Sequence, residues 1–130
     1  APALKMSMYR GTMPQLGTGQ PYLLFFWATW CAPCKAALPE IMAFAAAQDT
    51  PIIAITDESS EQLDAFFEQD MAFPAQVAID ALRQTFLAYG VSGTPSIVLV
   101  DGNGTIQSYT TGYNAKTGLK IDGWDWQRAE

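Results

Sequence analysis

The two cysteines of this chain are separated by only two residues, in the segment Trp30-Cys31-Ala32-Pro33-Cys34. A disulfide between Cys31 and Cys34 would close a very small loop, and the stabilisation that a crosslink provides grows with loop length. Such a bond would add little to the stability of the fold. A pair this close is better suited to being formed and broken than to joining distant segments.

The residues around the pair predict a strand followed by a helix. An unbroken apolar run of strand length covers 23–28, and the alanine-rich segment 35–48 favours a helix. Backbone N–H groups at a helix start favour a thiolate at Cys31, and Pro33 in the first turn costs little because its missing donor would be unpaired anyway. A Cys-x-x-Cys motif at such a junction indicates redox chemistry.

Composition excludes several other kinds of chemistry. The 130 residues predict one domain, 1–130, and 49% of them are apolar, which is enough for a substantial core. The net charge is −6, and without a basic cluster we expect no nucleic-acid partner. Histidine is absent, which removes a Cys–His nucleophile and a Cys/His zinc site. Dithiol–disulfide exchange needs only the residues present, so we expect no cofactor and no metal.

The relation of the chain to a membrane follows from the length of its apolar runs. The longest run is too short to cross a bilayer, so we expect a soluble domain. The start Ala1-Pro2-Ala3 is compatible with a removed signal peptide or with a clipped anchor, and both alternatives stay open. A membrane tether is expected only outside the given chain.

The predicted elements form an α/β arrangement: a mixed sheet with parallel central strands, an antiparallel edge and helices on both faces. The lead-in, 1–20, is expected to hold a short hairpin around Arg10-Gly11. Further along the chain, the patterns predict a strand at 51–55, a helix capped by Ser59 and Gln62, a helix marked by Leu82 and Phe86 and ended by Gly90, a strand at 96–100, a turn at 101–104 and a paired strand at 105–110.

Two blocks of sequence resemble the thioredoxin superfamily, and more narrowly the TlpA/ResA-type thiol–disulfide oxidoreductases. The first block is Phe26 to Lys35, followed by Leu38-Pro39, and the second is Tyr89 to Ser96, about sixty residues later. The resemblance covers about Pro21 to Tyr113 and implies a thioredoxin fold. The tail at 113–130 departs from the helix that usually closes thioredoxin. Residues 110–119 are similar to a branch that includes the suppressor of copper sensitivity D proteins.

The resemblance implies roles for individual residues. Cys31 is expected to be the exposed thiolate that attacks a partner's disulfide, and Cys34 is expected to resolve the mixed disulfide. The Thr94–Pro95 peptide is expected to be cis and to lie beside the cysteines, where it would offer backbone groups to a partner. The expected partner-contacting residues are Trp30, Ala32, Pro33, Thr94 and Pro95, whereas Trp27 is expected in the core.

Two positions depart from the family pattern. Phe25 and Ala37 stand where relatives carry carboxylates that help to move a proton to or from the second thiol. Glu40, Asp57 and Glu58 are interpreted as surface acids, with the alternative that one of them relays protons. Trp124 and Trp126 in the polar tail either dock on the body or belong to a longer segment.

The main functional hypothesis is a periplasmic, extracytoplasmic oxidoreductase that exchanges disulfides with proteins as a reductant or isomerase. It would receive its electrons from another protein. Two alternatives use the same cysteines. A thiol peroxidase is disfavoured because histidine is absent and no arginine lies near the cysteines in the sequence. A carrier of Cu(I) between two soft thiolates is disfavoured by Pro95 and by the lack of histidine and of a Met-rich motif.

Overall fold

The computed structural model describes residues 1–69, 71–114, 116 and 118. Trp124 and Trp126, and the interpretations placed on them, lie outside the described residues. The elements are, in chain order, β1 (Ser7–Arg10), β2 (Tyr22–Phe26), α1 (Ala32–Ala47), β3 (Ile52–Thr56), α2 (Ser60–Phe66), β4 (Gln76–Ile79), α3 (Gln84–Ala88), β5 (Ser96–Val100) and β6 (Ile106–Thr111).

Within the described residues the strands form one six-stranded sheet in the order β1-β4-β3-β2-β5-β6. Strands β2, β3 and β4 run parallel, whereas β1, β5 and β6 each pair antiparallel with a neighbour. The central strands β2, β3 and β5 are almost entirely buried, which explains why their sequences are continuous apolar runs rather than alternating ones. The mixed sheet of a thioredoxin fold is confirmed.

Helices cover both faces of this sheet. Alternate residues of β2 separate the two sides: Phe25 packs with the buried residues of α1 and α2, and Phe26 packs with Phe86 and Tyr89 on the side of α3. Helix α1 continues through Pro39. No helix among the described residues is long and apolar enough to cross a membrane.

The N-terminal strand is present, but its partner lies far along the chain. Strand β1 pairs antiparallel with β4, with Ser7 opposite Ile79, rather than with a second strand across Arg10-Gly11. Strand β4 carries no strong sequence pattern, and the sequence analysis does not predict it. Because β4 lies at one side of the parallel strands, β1 covers what would otherwise be an open sheet edge.

Three local predictions have clear outcomes. Ser59 and Gln62 form the capping box of α2, and β5 pairs with β6 across the turn at 101–104, as predicted. The third helix is shorter than predicted, because it begins at Gln84 and leaves Leu82 outside it and largely exposed. Gly90 follows that helix with a φ of 68°, a left-handed conformation that favours glycine.

Candidate active site

The sheet topology brings four loops to one edge. Strands β2, β3 and β4 are parallel and therefore end at the same edge, where the chain continues into 27–31, 57–59 and 80–83. Strand β5 is antiparallel to β2, with Ser96 opposite Phe26, so the loop at 92–95 enters the sheet at this edge too. Loops at the carboxyl ends of parallel strands are the usual place for a site in α/β proteins.

A disulfide joins Cys31 and Cys34 at the start of α1, and their Cα atoms lie 5.3 Å apart. Cys31 is the N-cap residue, and its sulfur accepts a hydrogen bond from the Cys34 N–H at 3.2 Å. Pro33 lies within the first turn, as the sequence predicts. The Cys34 N–H and the positive dipole end of α1 are therefore directed at the sulfur of Cys31.

The disulfide is enclosed. Cys31 is only 2% exposed and Cys34 only 1%, so the expectation of an exposed Cys31 is wrong for the oxidised protein. The residues beside the pair are open instead: Trp30 is 75% exposed, and Ala32 and Pro33 are also exposed. Folding has buried both sulfurs against the core of the α1 face, a depth that the local sequence does not reveal.

A groove of about 100 Å³ lies beside Trp30. Thr94 lines it together with Ser92 and Gly93, so two of the predicted partner-contacting residues, Trp30 and Thr94, share one surface. The Thr94 hydroxyl is buried and has no hydrogen-bond partner in the described part of the chain. A groove with an exposed aromatic side chain at its wall can hold an extended segment of a partner.

Arg83 also lines this groove, and no pattern in the sequence singled it out. It adopts a left-handed conformation with a φ of 57°, and its guanidinium lies 4.7 Å from the centroid of the Phe86 ring. Arg83 and Asp57 form an ion pair across the groove wall. No local pattern marks Arg83, because only the parallel pairing of β3 and β4 brings residues 57 and 83 together.

The Thr94–Pro95 peptide is cis, as predicted. Pro95 is buried, and its carbonyl accepts a hydrogen bond from the Gly112 N–H at 2.8 Å. The expectation that the Thr94–Pro95 peptide offers backbone groups to a partner is therefore wrong for the Pro95 carbonyl, which is already hydrogen-bonded. Ser92, Gly93 and the half-buried Thr94 form the accessible part of this loop.

Trp27 lies in the core, as predicted, where it belongs to a cluster of aromatic side chains. Its ring centroid lies 4.7 Å from that of Phe73 and 5.2 Å from that of Phe66. The Lys35 ammonium nitrogen lies 5.7 Å from the centroid of Phe66. Phe25 and Ala37 are buried apolar residues, so the carboxylates of the family pattern are replaced here by core packing.

The three acids interpreted as surface residues have different environments. Asp57 is partly exposed in its ion pair with Arg83, and half-buried Glu40 accepts a hydrogen bond from the Tyr113 hydroxyl, which raises the pKa of that phenol. Glu58 is only 6% exposed, so its interpretation as a surface acid is wrong. Among the described residues, no group of three or more His, Cys, Asp or Glu side chains is placed to hold a metal ion.

Comparisons with known proteins agree with this geometry. Residues 7–109 match the model of the AhpC/TSA family. The thiol-disulfide oxidoreductase ResA of Geobacillus thermodenitrificans is 33% identical over 107 residues, which are 78% of this chain and 60% of ResA. The chain thus spans less than two thirds of that relative's length.

Two solved structures share the fold. StoA from Bacillus subtilis superposes with a TM-score of 0.66 at 25% identity, over 86% of this chain and 90% of StoA. A thioredoxin-like protein from Porphyromonas gingivalis has a TM-score of 0.67 at 27% identity, over 88% of this chain and 81% of its own. The fold, the cysteine pair at the start of α1 and the match over residues 7–109 lead to one conclusion: the chain belongs to the AhpC/TSA family, among its thioredoxin-like TlpA/ResA-type members.

Proposed function

We propose that this protein is an extracytoplasmic thiol–disulfide oxidoreductase that exchanges disulfides with protein partners through Cys31 and Cys34. The observation that carries the proposal is the disulfide between the N-cap and third residues of α1. A crosslink over three residues contributes little to stability, and the N–H groups of the helix start favour the thiolate that exchange requires.

The proposed reaction transfers two electrons from the reduced protein to a partner. The Cys31 thiolate attacks one sulfur of the partner's disulfide, forming a mixed disulfide and releasing the first partner thiolate. Cys34, deprotonated, then attacks the Cys31 sulfur, which forms the Cys31–Cys34 disulfide and releases the second partner thiolate. The two released thiolates take up two protons. The reverse sequence would oxidise a partner dithiol.

The partner would bind along the groove beside Trp30, the residue that precedes Cys31. Trp30 supplies an exposed aromatic surface next to Cys31 in the sequence, and Thr94 lines the same groove. Ala32 and Pro33 are exposed at the helix start and would contact the partner around the attacked sulfur. Pro95 would act from beneath, by fixing the loop that carries Thr94.

We propose that the physiological direction is reduction or isomerisation of partner disulfides, with electrons supplied by an upstream protein. A strong oxidant stabilises its reduced thiolate heavily, and the sequence within the Cys31-Ala32-Pro33-Cys34 loop offers no histidine for that purpose. The expected reduction potential is therefore nearer to the roughly −270 mV of thioredoxin than to the roughly −120 mV of a strong oxidant.

The proposed location is the bacterial periplasm or its equivalent, with any membrane tether outside the given chain. The resemblance to extracytoplasmic TlpA/ResA-type proteins supports this location. A pair of thiols that cycles through a disulfide would also meet disulfide-bonded partners there, since such bonds persist mainly in oxidising compartments.

Equilibration with glutathione buffers, followed by trapping of the thiols, tests both the activity and its direction. We expect a single two-electron transition in the reducing-to-intermediate range. A potential above about −150 mV would reverse the assignment to a disulfide donor. Rapid consumption of peroxide by the reduced protein, or retention of Cu(I) by its thiols without exchange with any disulfide, would replace this proposal with one of the two alternatives.

A further inference from the structure

Glu58 is a buried carboxylate next to the candidate active site. It follows β3 by two residues and is 6% exposed. Burying a carboxylate is costly unless its oxygens are hydrogen-bonded, and an apolar side chain in its place would avoid that cost. Its burial therefore requires compensating hydrogen bonds, and the donors of those bonds identify the part of the structure that Glu58 stabilises.

Both oxygens of Glu58 accept hydrogen bonds from Thr29. The Thr29 N–H lies 2.8 Å from Oε1, and the Thr29 hydroxyl lies 2.6 Å from Oε2. The Thr56 hydroxyl adds a bond to Oε1 at 2.9 Å and accepts one from the Glu58 N–H at 3.3 Å. The carboxylate thus joins the end of β3 to the loop after β2 by a two-point contact with a single residue.

Thr29 lies in the short loop that delivers the reactive cysteine. Trp27 ties the start of this loop to β3, because its N–H donates to the Ile55 carbonyl at 3.0 Å. The Cys31 N–H donates to the Ala28 carbonyl at 3.1 Å, so residues 28–31 form a tight turn. Glu58 binds Thr29 within that turn, and Thr29 comes immediately before Trp30 and Cys31.

We infer that Glu58 is a positioning residue for the dithiol: its hydrogen bonds to Thr29 hold the turn that places the Cys31 sulfur against the Cys34 N–H of α1 and Trp30 beside the groove. This inference rests on the proposed function. According to this inference, the hydrogen bonds of Glu58 position the turn, and its negative charge is not required.

The test compares Glu58→Ala with Glu58→Gln in the full 130-residue chain. Glutamine can still accept from the Thr29 N–H and the Thr56 hydroxyl, and its amide can donate to the Thr29 hydroxyl. Alanine removes every one of these contacts. Two rates are measured at 25 °C: alkylation of reduced Cys31 by iodoacetamide in a Cys34→Ser background, and reduction of insulin disulfides by the protein with both cysteines.

For Glu58→Ala we expect both rates to fall by about tenfold, because small misplacements of reacting groups are costly. For Glu58→Gln we expect both rates to stay within about twofold of the parent, since the contacts remain. Thr29→Val, which removes the hydroxyl bond and keeps the backbone bond, should lie between them. Glu61→Gln, an exposed charge in the first turn of α2, is the matched control and should change neither rate.

Other outcomes would overturn the inference. If Glu58→Ala lowers the melting temperature but leaves the alkylation rate unchanged, Glu58 has only a structural role. Should Glu58→Ala fail to fold, the alkylation rate of Thr29→Val distinguishes a positioning role from a structural one. If Glu58→Gln changes alkylation as much as alanine does, or accelerates it, the charge is what acts. Alkylation requires no partner, so a failure of insulin reduction in the parent protein would count against the proposed function and leave this comparison intact.

Discussion

Two neighbouring junctions between a strand and a helix share one geometry but differ in chemistry. After β2, the Cys31 sulfur accepts a hydrogen bond from the backbone N–H of Cys34 at 3.2 Å. After β3, the Ser59 hydroxyl accepts one from the backbone N–H of Gln62, also at 3.2 Å. Both caps have extended backbones, and both use the amide three residues later.

The difference lies in what the third residue does with its side chain. At the second junction, the Gln62 side chain accepts from the Ser59 N–H at 2.9 Å and completes a capping box. At the first junction, Cys34 bonds covalently to the cap itself. The geometry of a capping box brings the two side chains together. Thiols at its two positions therefore convert a structural device into a redox pair without a change of backbone.

The largest expected effect comes from breaking the redox pair one sulfur at a time. Cys34→Ser should accumulate mixed disulfides between Cys31 and partner proteins, because nothing remains to resolve them. Cys31→Ser should trap none. Non-reducing gels of each variant after incubation with an excess of disulfide-bonded protein measure the trapped fraction. Equal trapping by both variants, or trapping by Cys31→Ser alone, would contradict the order of attack.

A Trp30→Ala variant tests whether the first junction, unlike the second, contacts a partner protein. Trp30→Ala should lower kcat/KM for reduction of a protein disulfide by about fivefold to tenfold, as loss of an aromatic interface contact does. Its melting temperature should change little, because the side chain is 75% exposed. Leu87→Ala is the matched control, since Leu87 is 72% exposed and lines a different surface, near Pro2 and Lys5. A similar loss of activity in both variants would refute a specific role for Trp30.

At the second junction the expected effect is on stability alone. Ser59→Ala removes the cap of α2 and should lower the free energy of unfolding by about 1 kcal/mol, measured by urea denaturation. Disulfide exchange should be unchanged. Ser60→Ala, one residue inside the helix, is the control and should cost much less. A loss of exchange activity in Ser59→Ala would show that the cap itself, and not only Glu58, supports the first junction.

The smallest expected effect isolates the capping role of Cys31. Cys31→Ser and Cys31→Ala both lack the disulfide, so a difference in their stability reports the capping hydrogen bond less the cost of burying a hydroxyl. We expect the serine variant to be more stable by about 0.5 kcal/mol, the lower end of the usual range, because a hydroxyl is costly to bury at this enclosed position. Urea denaturation of both under reducing conditions makes the comparison. A more stable alanine variant would show that the cap does not outweigh the cost of burying the hydroxyl there.

Sequence patterns sufficed where the decisive information is local. The apolar runs of β2 and β5, the Ser59–Gln62 capping box and the turn at 101–104 each depend on residues a few positions apart, and all were predicted. The Cys31–Cys34 pair at a helix start belongs to the same class, because it lies within four consecutive residues.

Features that depend on distant pairing could not be predicted in this way. Strand β4 is four residues long and lacks a strong pattern, so neither it nor its pairing with β1 was visible. Glu58 looks like a surface acid until β3 aligns with β2 and brings Thr29 to its side chain. Arg83 enters the groove only because β4 ends beside β3. At each of these positions tertiary contacts, and not local preference, determine the environment.

The enclosure of the cysteine pair has a kinetic consequence. An attacking sulfur must approach along the axis of the bond that it breaks, and a residue that is 2% exposed leaves few directions open. We expect small thiols that collide at random to react slowly with such a bond, whereas a protein docked against Trp30 holds its own cysteine in line. Burial would then protect the disulfide from the surrounding thiol pool and restrict its reduction to proteins that bind first, such as the upstream electron donor.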